Sequence, residues 1–166
     1  MNNIQLMARF NAWANGRLYG VVSGLAEAAY LEDRGAFFGS IHNTLNHLLV
    51  VDRLWTGRIE GVDHGITALD QTLYDDLAAL WAARKDEDAH LIALVDGLGE
   101  RLQAPVGYTR IAGPGAQETR CDHILITLYN HQTHHRGQVH AMLTQAGAVI
   151  PPLDVIYFLD ELGPSA

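Results

Sequence analysis

Apolar side chains recur every three or four residues along four long stretches of the chain, which is the spacing of one face of an α-helix. A shorter amphipathic stretch at 153–162 predicts a terminal helix. The four long helices are predicted over residues 3–27, 40–60, 70–98 and 121–146. We therefore expect an all-α fold, a four-helix bundle with a short C-terminal helix, in one domain covering residues 1–166.

Capping residues mark the ends of these predicted helices. Ser40 is placed to cap the second helix, Gly61 to end it, and Asp70 to cap the third. Within the third helix we interpret the charged run 84–88 as a solvent-exposed face. In the terminal helix, the residues expected to pack inward are Val155, Ile156, Phe158 and Leu159.

The helical pattern breaks between residues 99 and 120, where prolines and glycines are frequent. Residues 106–111, followed by Gly113-Pro114-Gly115, predict either a small hairpin or an extended crossover. A connection this long inside a compact domain is usually functional or spans the bundle from end to end. The expected bundle therefore has a long crossover before its fourth long helix.

Composition narrows the classes of function. The formal net charge of -8 argues against binding to nucleic acid, whose phosphates require a basic surface. No apolar run reaches the roughly 18 residues of a membrane span, and the first residues lack the features of a secretion signal, so we expect a cytoplasmic protein without a membrane partner. The single cysteine, Cys121, excludes an internal disulfide and is expected to be a small buried apolar residue.

Candidate chemistry lies in the fourth predicted helix, where His131 and His135 are one turn apart on the same face. Two imidazoles at that spacing can share one metal ion. His47 lies on an apolar stripe of the second predicted helix, so it should face the core. Three such nitrogens leave a coordination position open, as in catalytic metal sites. The plainer alternative is a set of core histidines bonded to carbonyls.

Three more polar residues are candidates for a supporting part in this site. His134 is displaced by about 100° from His135 around the helix, so we expect it beside the site, with replacement of a ligand as the alternative. Asp52 and Gln138 could bond the second nitrogen of a ligand histidine and fix its tautomer. An ordinary polar contact between helices is an equal alternative for both.

Two neighbours of the histidine pair carry weaker predictions. Arg136 could pair with Asp52 across the bundle. Gly137 costs a helix interior about 1 kcal/mol relative to alanine, so a close contact with Trp13 or Trp55 would explain its presence.

Four segments carry motifs that lie in the same order as in a known family. They are Arg9–Asn15, Ser40–Leu49 with Asp52 and Trp55, Asn130–Gln138, and Pro152–Asp154. Together they resemble the DinB family of damage-inducible, YfiT-like proteins over nearly the whole chain. The third segment, with its His-x-x-His-His-Arg-Gly-Gln core, is the most specific.

The resemblance implies an up-down-down-up bundle, often dimeric, that holds a divalent metal through three histidines. The matching residues are His47, His131 and His135. Related proteins include thiol-dependent transferases that use bacillithiol or mycothiol, and a maleylpyruvate isomerase. The resemblance therefore implies a homodimer with a metal ion, a small-molecule substrate and a low-molecular-weight thiol. Zinc or nickel is expected ahead of iron, although three neutral nitrogens suit all of them.

The leading hypothesis is a metal-dependent enzyme of the thiol-dependent S-transferase type, in which the ion lowers the pKa of a thiol. No Asp or Glu lies between His131 and His135, which favours thiol transfer over hydrolysis. The catalytic group would be a thiol or water on the metal, and no catalytic side chain is assigned. The alternatives are a metal-dependent hydrolase, a non-catalytic metal-binding dimer of the stress response, and a helical bundle with incidental histidines.

Overall fold

The computed structural model describes residues 1–111, 113 and 115–163, and this part of the chain is mostly helical. Its helices are α1 Asn3–Val22, α2 Glu27–Leu31, α3 Ile41–Glu60, α4 Leu77–Gly97, α5 Cys121–Gln145 and α6 Val155–Leu162. A 3-10 helix, Gly99–Gln103, leads into an antiparallel pair of strands, β1 Pro105–Thr109 and β2 Ala116–Arg120. Their register runs from Pro105 opposite Arg120 to Thr109 opposite Ala116.

The four long helices enclose the core, because α1 and α3 each pack against both α4 and α5. The buried apolar side chains form two main clusters. One contains Leu18, Leu45, Leu49, Leu80, Val139 and Leu143, and the other contains Ala8, Ile59, Leu91, Leu125 and Leu128. Each long helix contributes to both clusters, so the two clusters divide the helical core lengthwise.

Every long helix carries buried polar side chains, and along the sequence of each helix they lie between the residues of the two apolar clusters. We call this group the polar layer, and every member is at most 5% exposed. Its members are Asn11, Asn15, Asp52, Arg84, Asp88, Gln132 and Arg136.

Hydrogen bonds on one side of the polar layer join α3, α4 and α5. Arg84 Nη1 donates to Asp52 Oδ2 at 2.6 Å, and Gln132 Nε2 donates to the same oxygen at 2.6 Å. Arg136 Nη1 in turn donates to Gln132 Oε1 at 3.2 Å. Burial raises the pKa of Asp52 to about 6 while the charge of Arg84 opposes the rise, so the carboxyl is mostly ionised at pH 7.

The other side of the layer runs through α1 and closes a ring. Asn15 Nδ2 donates to Asp88 Oδ1 at 3.0 Å, and Asn15 Oδ1 accepts from Arg136 Nη1 at 3.3 Å. Asn11 likewise donates to Asp88 and accepts from Arg136. Arg84 lies 2.9 Å from Asp88, which completes the circuit. Because the ring has one bonded arrangement, it fixes α5 relative to the other three helices.

The ends of α3 confirm the predicted caps, but the predicted end of α1 and the predicted start of α4 are wrong. Ser40 Oγ accepts from the backbone of Asn43 at 3.1 Å, and Gly61 adopts the left-handed conformation that ends a helix. Helix α1 ends at Val22 rather than residue 27, and the short α2 that follows was not predicted.

Helix α4 begins at Leu77 rather than at residue 70. Its cap is Asp76, whose carboxylate accepts from the backbone of Ala79 at 2.8 Å. Asp70, Asp75 and Asp76 are all suitable caps, so the sequence pattern could not choose among them.

The prediction of an exposed charged face at 84–88 holds for Lys85 and Asp86 but is wrong for Arg84, Glu87 and Asp88, which are buried. Arg84 pairs with Asp52 of α3 and with Asp88 of its own helix, and Glu87 lies 3.7 Å from Arg53 of α3. The three buried residues stand at helical spacing from Leu80 and Leu91, so they share the inward face of α4.

The C-terminal helix α6 and the hairpin before α5 differ in how well they match the prediction. In α6 only Phe158 is buried, and its ring packs against those of Phe10 and Trp13 on α1. Leu159 is half-buried, and the prediction is wrong for Val155 and Ile156, which are exposed. The hairpin at 105–120 is confirmed.

Parts of two predictions lie outside the residues that the structure describes. They are Pro114, within the predicted turn, and residues 164–166, within the predicted domain. Within the described ranges, no helix has the length and apolar character needed to cross a bilayer. The cytoplasmic location stays a prediction.

Candidate metal centre

Helices α3 and α5 bring together His47, His131 and His135. One ring nitrogen of each histidine lies within 4.8 Å of those of the other two, a grouping that could hold a metal ion. The ring centroids are 4.9 Å apart for His47 and His131, 4.6 Å for His47 and His135, and 4.4 Å for His131 and His135. We call these three residues the histidine triad.

Two members of the triad have their tautomers set by oxygen acceptors. His47 Nδ1 lies 2.7 Å from the carbonyl oxygen of Leu69, and His135 Nδ1 lies 2.7 Å from Gln138 Oε1. Because these oxygens can only accept, both rings donate through Nδ1 and keep a lone pair on Nε2. The amide of Gln138 is itself oriented by its Nε2, which lies 3.2 Å from His134 Nε2.

His131 has one unsatisfied ring nitrogen. Its Nδ1 is buried with no hydrogen-bond partner among the described residues, and its Nε2 lies 2.9 Å from His47 Nε2. With the lone pair of His47 at this contact, His131 either donates its proton from Nε2 or shares a cation with His47 through that nitrogen. The residues present therefore fit a divalent cation, since imidazole nitrogens are ligands for zinc, nickel and iron alike.

Burial keeps the triad in the neutral form that can bind a cation. Together with the smaller effect of the neighbouring histidines, it lowers the pKa of His131 to about 3. It also lowers the pKa of His135 to about 4, against the opposing hydrogen bond from Gln138. The pKa of His47 is lowered too, for the same reason. At pH 7 all three rings are therefore unprotonated, as metal ligation requires.

An aromatic pair from the loop before α3 covers the triad. The ring of Phe38 stacks on His47 with centroids 3.9 Å apart, and it lies 5.6 Å from the ring of His135. Phe37, beside it, is 84% exposed. The two rings therefore form an apolar wall that is partly open to solvent.

Two cavities flank the triad and share His47 and Leu69. The first, the apolar cavity, has a volume of about 510 Å³. It is lined by Phe37, Phe38, His47, Leu69, Asp70, His134, His135 and Gln138. Asp70, which does not cap α4, is the acidic residue of this lining.

The second cavity, the arginine cavity, has a volume of about 350 Å³. It is lined by His47, Val51, Leu54, Trp55, Arg58, Leu69, Tyr108, Arg110, Ile111 and His131. Because the hairpin supplies Tyr108 and Arg110, the long connection before α5 helps to build the site.

The candidates for a supporting part fall in three different places. Gln138 contacts His135 directly, as described above. His134 is exposed, and its ring lies 4.7 Å from that of His135, beside the triad. Asp52 bonds to Arg84 and Gln132 in the polar layer instead of to a triad histidine.

The two weaker predictions are wrong. Arg136 does not pair directly with Asp52, because Gln132 lies between them and bonds to both. A side chain at Gly137 would meet nothing within 4 Å, so no close helix contact explains that glycine. The tight glycine is Gly57, where an added Cβ would lie 2.5 Å from the carbonyl oxygen of Val62.

Sequence reasoning missed several residues of the site. The Leu69 carbonyl and the hairpin residues Tyr108 and Arg110 reach it through loops, for which helical periodicity gives no signal. The Phe37-Phe38 pair between two glycines did carry a signal, since two adjacent aromatic residues in a predicted loop are unusual for a merely structural turn.

Comparisons with known proteins agree on one family. The family model described as the DinB family matches residues 1–163. Protein DinB of Bacillus subtilis (strain 168) is 27% identical over 166 residues, an alignment that covers 90% of each chain. The crystal structure of a DinB-like protein from Bacillus cereus ATCC 10987 has a TM-score of 0.66, with 15% identity over 84% of this chain and 90% of that one. At that identity, the structural likeness shows a shared fold.

Proposed function

Because the chain belongs to the DinB family and gathers three neutral histidines, we propose that it is a divalent-metal-dependent enzyme of the thiol-dependent S-transferase type. One observation carries the proposal, the convergence of ligand nitrogens from His47, His131 and His135 within 4.8 Å of one another. Three protein ligands leave a coordination position for a substrate, which is typical of catalytic sites.

The triad residues would hold the ion, with zinc or nickel ahead of iron. His47 and His135 have Nε2 available, since the Leu69 carbonyl and Gln138 occupy their Nδ1 hydrogens. The ion would supply Lewis acidity, which lowers the pKa of a thiol that coordinates it. The chain holds the rings in the geometry needed and keeps them unprotonated by burial.

The apolar cavity supports transfer to a hydrophobic electrophile. Phe37, Phe38 and Leu69 provide an apolar lining beside His47 and His135. Such a lining would exclude water from a thiolate and favour its attack on the electrophile over hydrolysis.

A metal-dependent hydrolase is the second candidate, and one observation favours it. Asp70 lines the apolar cavity and can accept a proton there, a role for which the sequence pattern offered no residue. If hydrolysis is the reaction, Asp70→Asn should abolish it while metal binding persists.

We also propose that the four long helices form an up-down-down-up bundle and that the protein is a homodimer. Successive contacts between α1 and α5, and between α3 and α4, join residues whose numbers increase in both helices, so the helices of each pair run parallel. Between α1 and α4 the numbers increase in one helix and decrease in the other, so these two run antiparallel. The contacts are Ile4 with Tyr129 and Asn11 with Arg136, Asp52 with Arg84 and Glu60 with His90, and Arg9 with Asp96 and Asn15 with Asp88. Light scattering of the purified protein tests the dimer.

Metal analysis and a thiol-transfer assay test the proposed function together. We expect about one zinc or nickel ion per chain, and transfer of a thiol to 1-chloro-2,4-dinitrobenzene that His131→Ala abolishes. The exposed His123→Ala is the matched control and should retain both properties. A chain that retains the ion but reacts no faster than His131→Ala would be a non-catalytic metal-binding protein. A chain that binds neither ion would contradict the proposal entirely.

A further inference from the structure

The arginine cavity differs in charge from the rest of the protein. The chain has 19 acidic and 11 basic residues, for a formal net charge of -8. Nevertheless the lining of this cavity contains Arg58 and Arg110 and no Asp or Glu. An acidic protein has thus concentrated positive charge in one concave surface, which raises the local concentration of anions.

Arg58 is held in position by neutral groups. Its guanidinium carbon lies 4.4 Å from the ring centre of Trp55 and 4.6 Å from that of Tyr108. Its Nη2 donates to the carbonyl oxygen of Thr109 at 2.7 Å. These contacts orient the guanidinium plane and leave further N–H donors for a ligand.

Arg58 also lacks the counter-ion that a half-buried arginine normally has. Among the residues described, no carboxylate lies within ion-pairing distance of it, whereas Arg84 pairs with both Asp52 and Asp88. Burial lowers the pKa of Arg58. A partly desolvated cation without an anionic protein partner is suited to an anion from solution.

The cavity reaches the triad at His47 and His131. The apolar cavity on the other side carries Asp70, which repels anions. A carboxylate therefore finds favourable charge on one side of the triad only. Planar guanidinium groups bind carboxylates through paired hydrogen bonds, which fits this class of anion.

We propose that the arginine cavity binds the carboxylate of a substrate of the triad, with Arg58 and Arg110 as its anchors and the apolar part of the reaction partner in the apolar cavity. The inference rests on the proposed function and deepens it, since it assigns a chemical class to one substrate. The carboxylate belongs to the thiol or to the electrophile, and the two sources can be distinguished.

A pair of thiols tests the first source. Protein loaded with Co²⁺ or Ni²⁺ is titrated with 3-mercaptopropionate and with the neutral 3-mercaptopropanamide, and binding is followed by the sulfur-to-metal charge-transfer band. We expect the carboxylate to bind about tenfold more tightly, as a charge-assisted hydrogen bond would provide. Arg58→Gln should remove this preference, and Arg110→Gln should reduce it.

A pair of aromatic compounds tests the second source without a metal. Calorimetry on metal-free protein compares 3,5-dinitrobenzoate with 3,5-dinitrobenzamide. A preference for the benzoate that Arg58→Gln removes would place the carboxylate on the electrophile. Either preference supports an anion site in the arginine cavity.

The control and the contradicting results are specific to this cavity. Arg101, like Arg58, donates to a backbone carbonyl, that of Ile59 at 3.3 Å, but it lies outside the arginine cavity. Arg101→Gln should therefore leave both preferences unchanged. Equal binding of each charged and neutral pair by the native protein would overturn the inference, as would a preference that survives both Arg58→Gln and Arg110→Gln. Absence of a charge-transfer band with either thiol would instead count against the proposed function, while calorimetry still decides the carboxylate site.

Discussion

Two groups of buried polar side chains lie side by side in this bundle, and α5 supplies both. Gln132 and Arg136 face the polar layer, while His131 and His135 face the triad. In the polar layer, carboxylates meet guanidinium and amide groups, so the protein satisfies its own charges. In the triad, the nitrogens of three neutral rings converge on one another, and the group could hold a cation. Most polar atoms of the polar layer are bonded within the chain, although Asp52 Oδ1 and two nitrogens of Arg84 form no hydrogen bond among the described residues.

This difference separates structural from functional polar groups. A buried charge pair is costly to break, but its replacement by packed apolar residues is often tolerated, so such a pair indicates how helices are aligned. A cluster of like acceptors with an orphaned nitrogen has no stabilising role in the metal-free chain. Its presence therefore points to a ligand.

The largest expected effect comes from breaking the polar layer. Asp52→Ala removes the acceptor shared by Arg84 and Gln132 and leaves a buried guanidinium without one partner. We expect a loss of about 3–5 kcal/mol in the free energy of unfolding, measured by urea denaturation of the metal-free protein. Asp96→Ala, which breaks the exposed pair with Arg9, should leave the free energy of unfolding nearly unchanged. Similar losses in the two variants would refute the distinction between buried and exposed pairs.

The second largest effect is expected when a metal ion binds to the triad. Zinc or nickel at about a hundredfold excess over its Kd should raise the free energy of unfolding by about 2.7 kcal/mol, because the ion binds the folded chain. The increase should vanish in His135→Ala. It should persist in the control variant His123→Ala, whose side chain is exposed. Stabilisation of His135→Ala to the native extent would place the ion elsewhere.

A smaller effect is expected at the residue that orients His135. Gln138→Leu removes the acceptor 2.7 Å from His135 Nδ1, and we expect metal affinity to fall about 10- to 100-fold. Gln138→Glu should restore much of the affinity, since a carboxylate also accepts from Nδ1. Competition with a chromophoric chelator measures the metal affinity of the native protein and of both variants. Unchanged affinity in Gln138→Leu would show that His135 needs no such support.

The smallest effect is a pH dependence at the edge of the polar layer. Burial opposes the charge of His90, but the hydrogen bond with Glu60 and the charge of Glu87 outweigh it and raise the pKa of His90. A raised pKa means that the pair stabilises the fold below about pH 6.5 and that this stability is lost as pH rises through the folded pKa.

Because this pair is partly exposed, its contribution should stay below about 1 kcal/mol. His90→Gln should flatten the pH dependence of metal-free unfolding above about pH 6.5. An unchanged slope would assign that dependence to other groups.

The sequence predicted what depends on helical periodicity. The four long helices and the spacing of His131 and His135 follow directly from it, and His47 was placed inward by its stripe. The prediction failed for charged residues that lie on the buried face of a helix. Arg84 and Asp88 stand on the inward face of α4, but a charged run is usually exposed, and only Asp52 of α3 and Asn15 of α1, which bond to them, explain their burial.

Loops set the remaining limit on prediction from sequence. Asp70 and Asp76 are equally suitable caps, and tertiary packing decides between them. The Leu69 carbonyl that orients His47 belongs to the backbone, for which no residue type gives a signal. The arginine cavity likewise exists only because the hairpin folds over α3.

Anomalous diffraction at the zinc or nickel absorption edge, from crystals grown with that metal, would locate an ion bound by the triad. We predict one strong peak per chain about 2.0–2.1 Å from one nitrogen each of His47, His131 and His135. A triad without a peak, or a peak bound by other residues, would contradict this prediction.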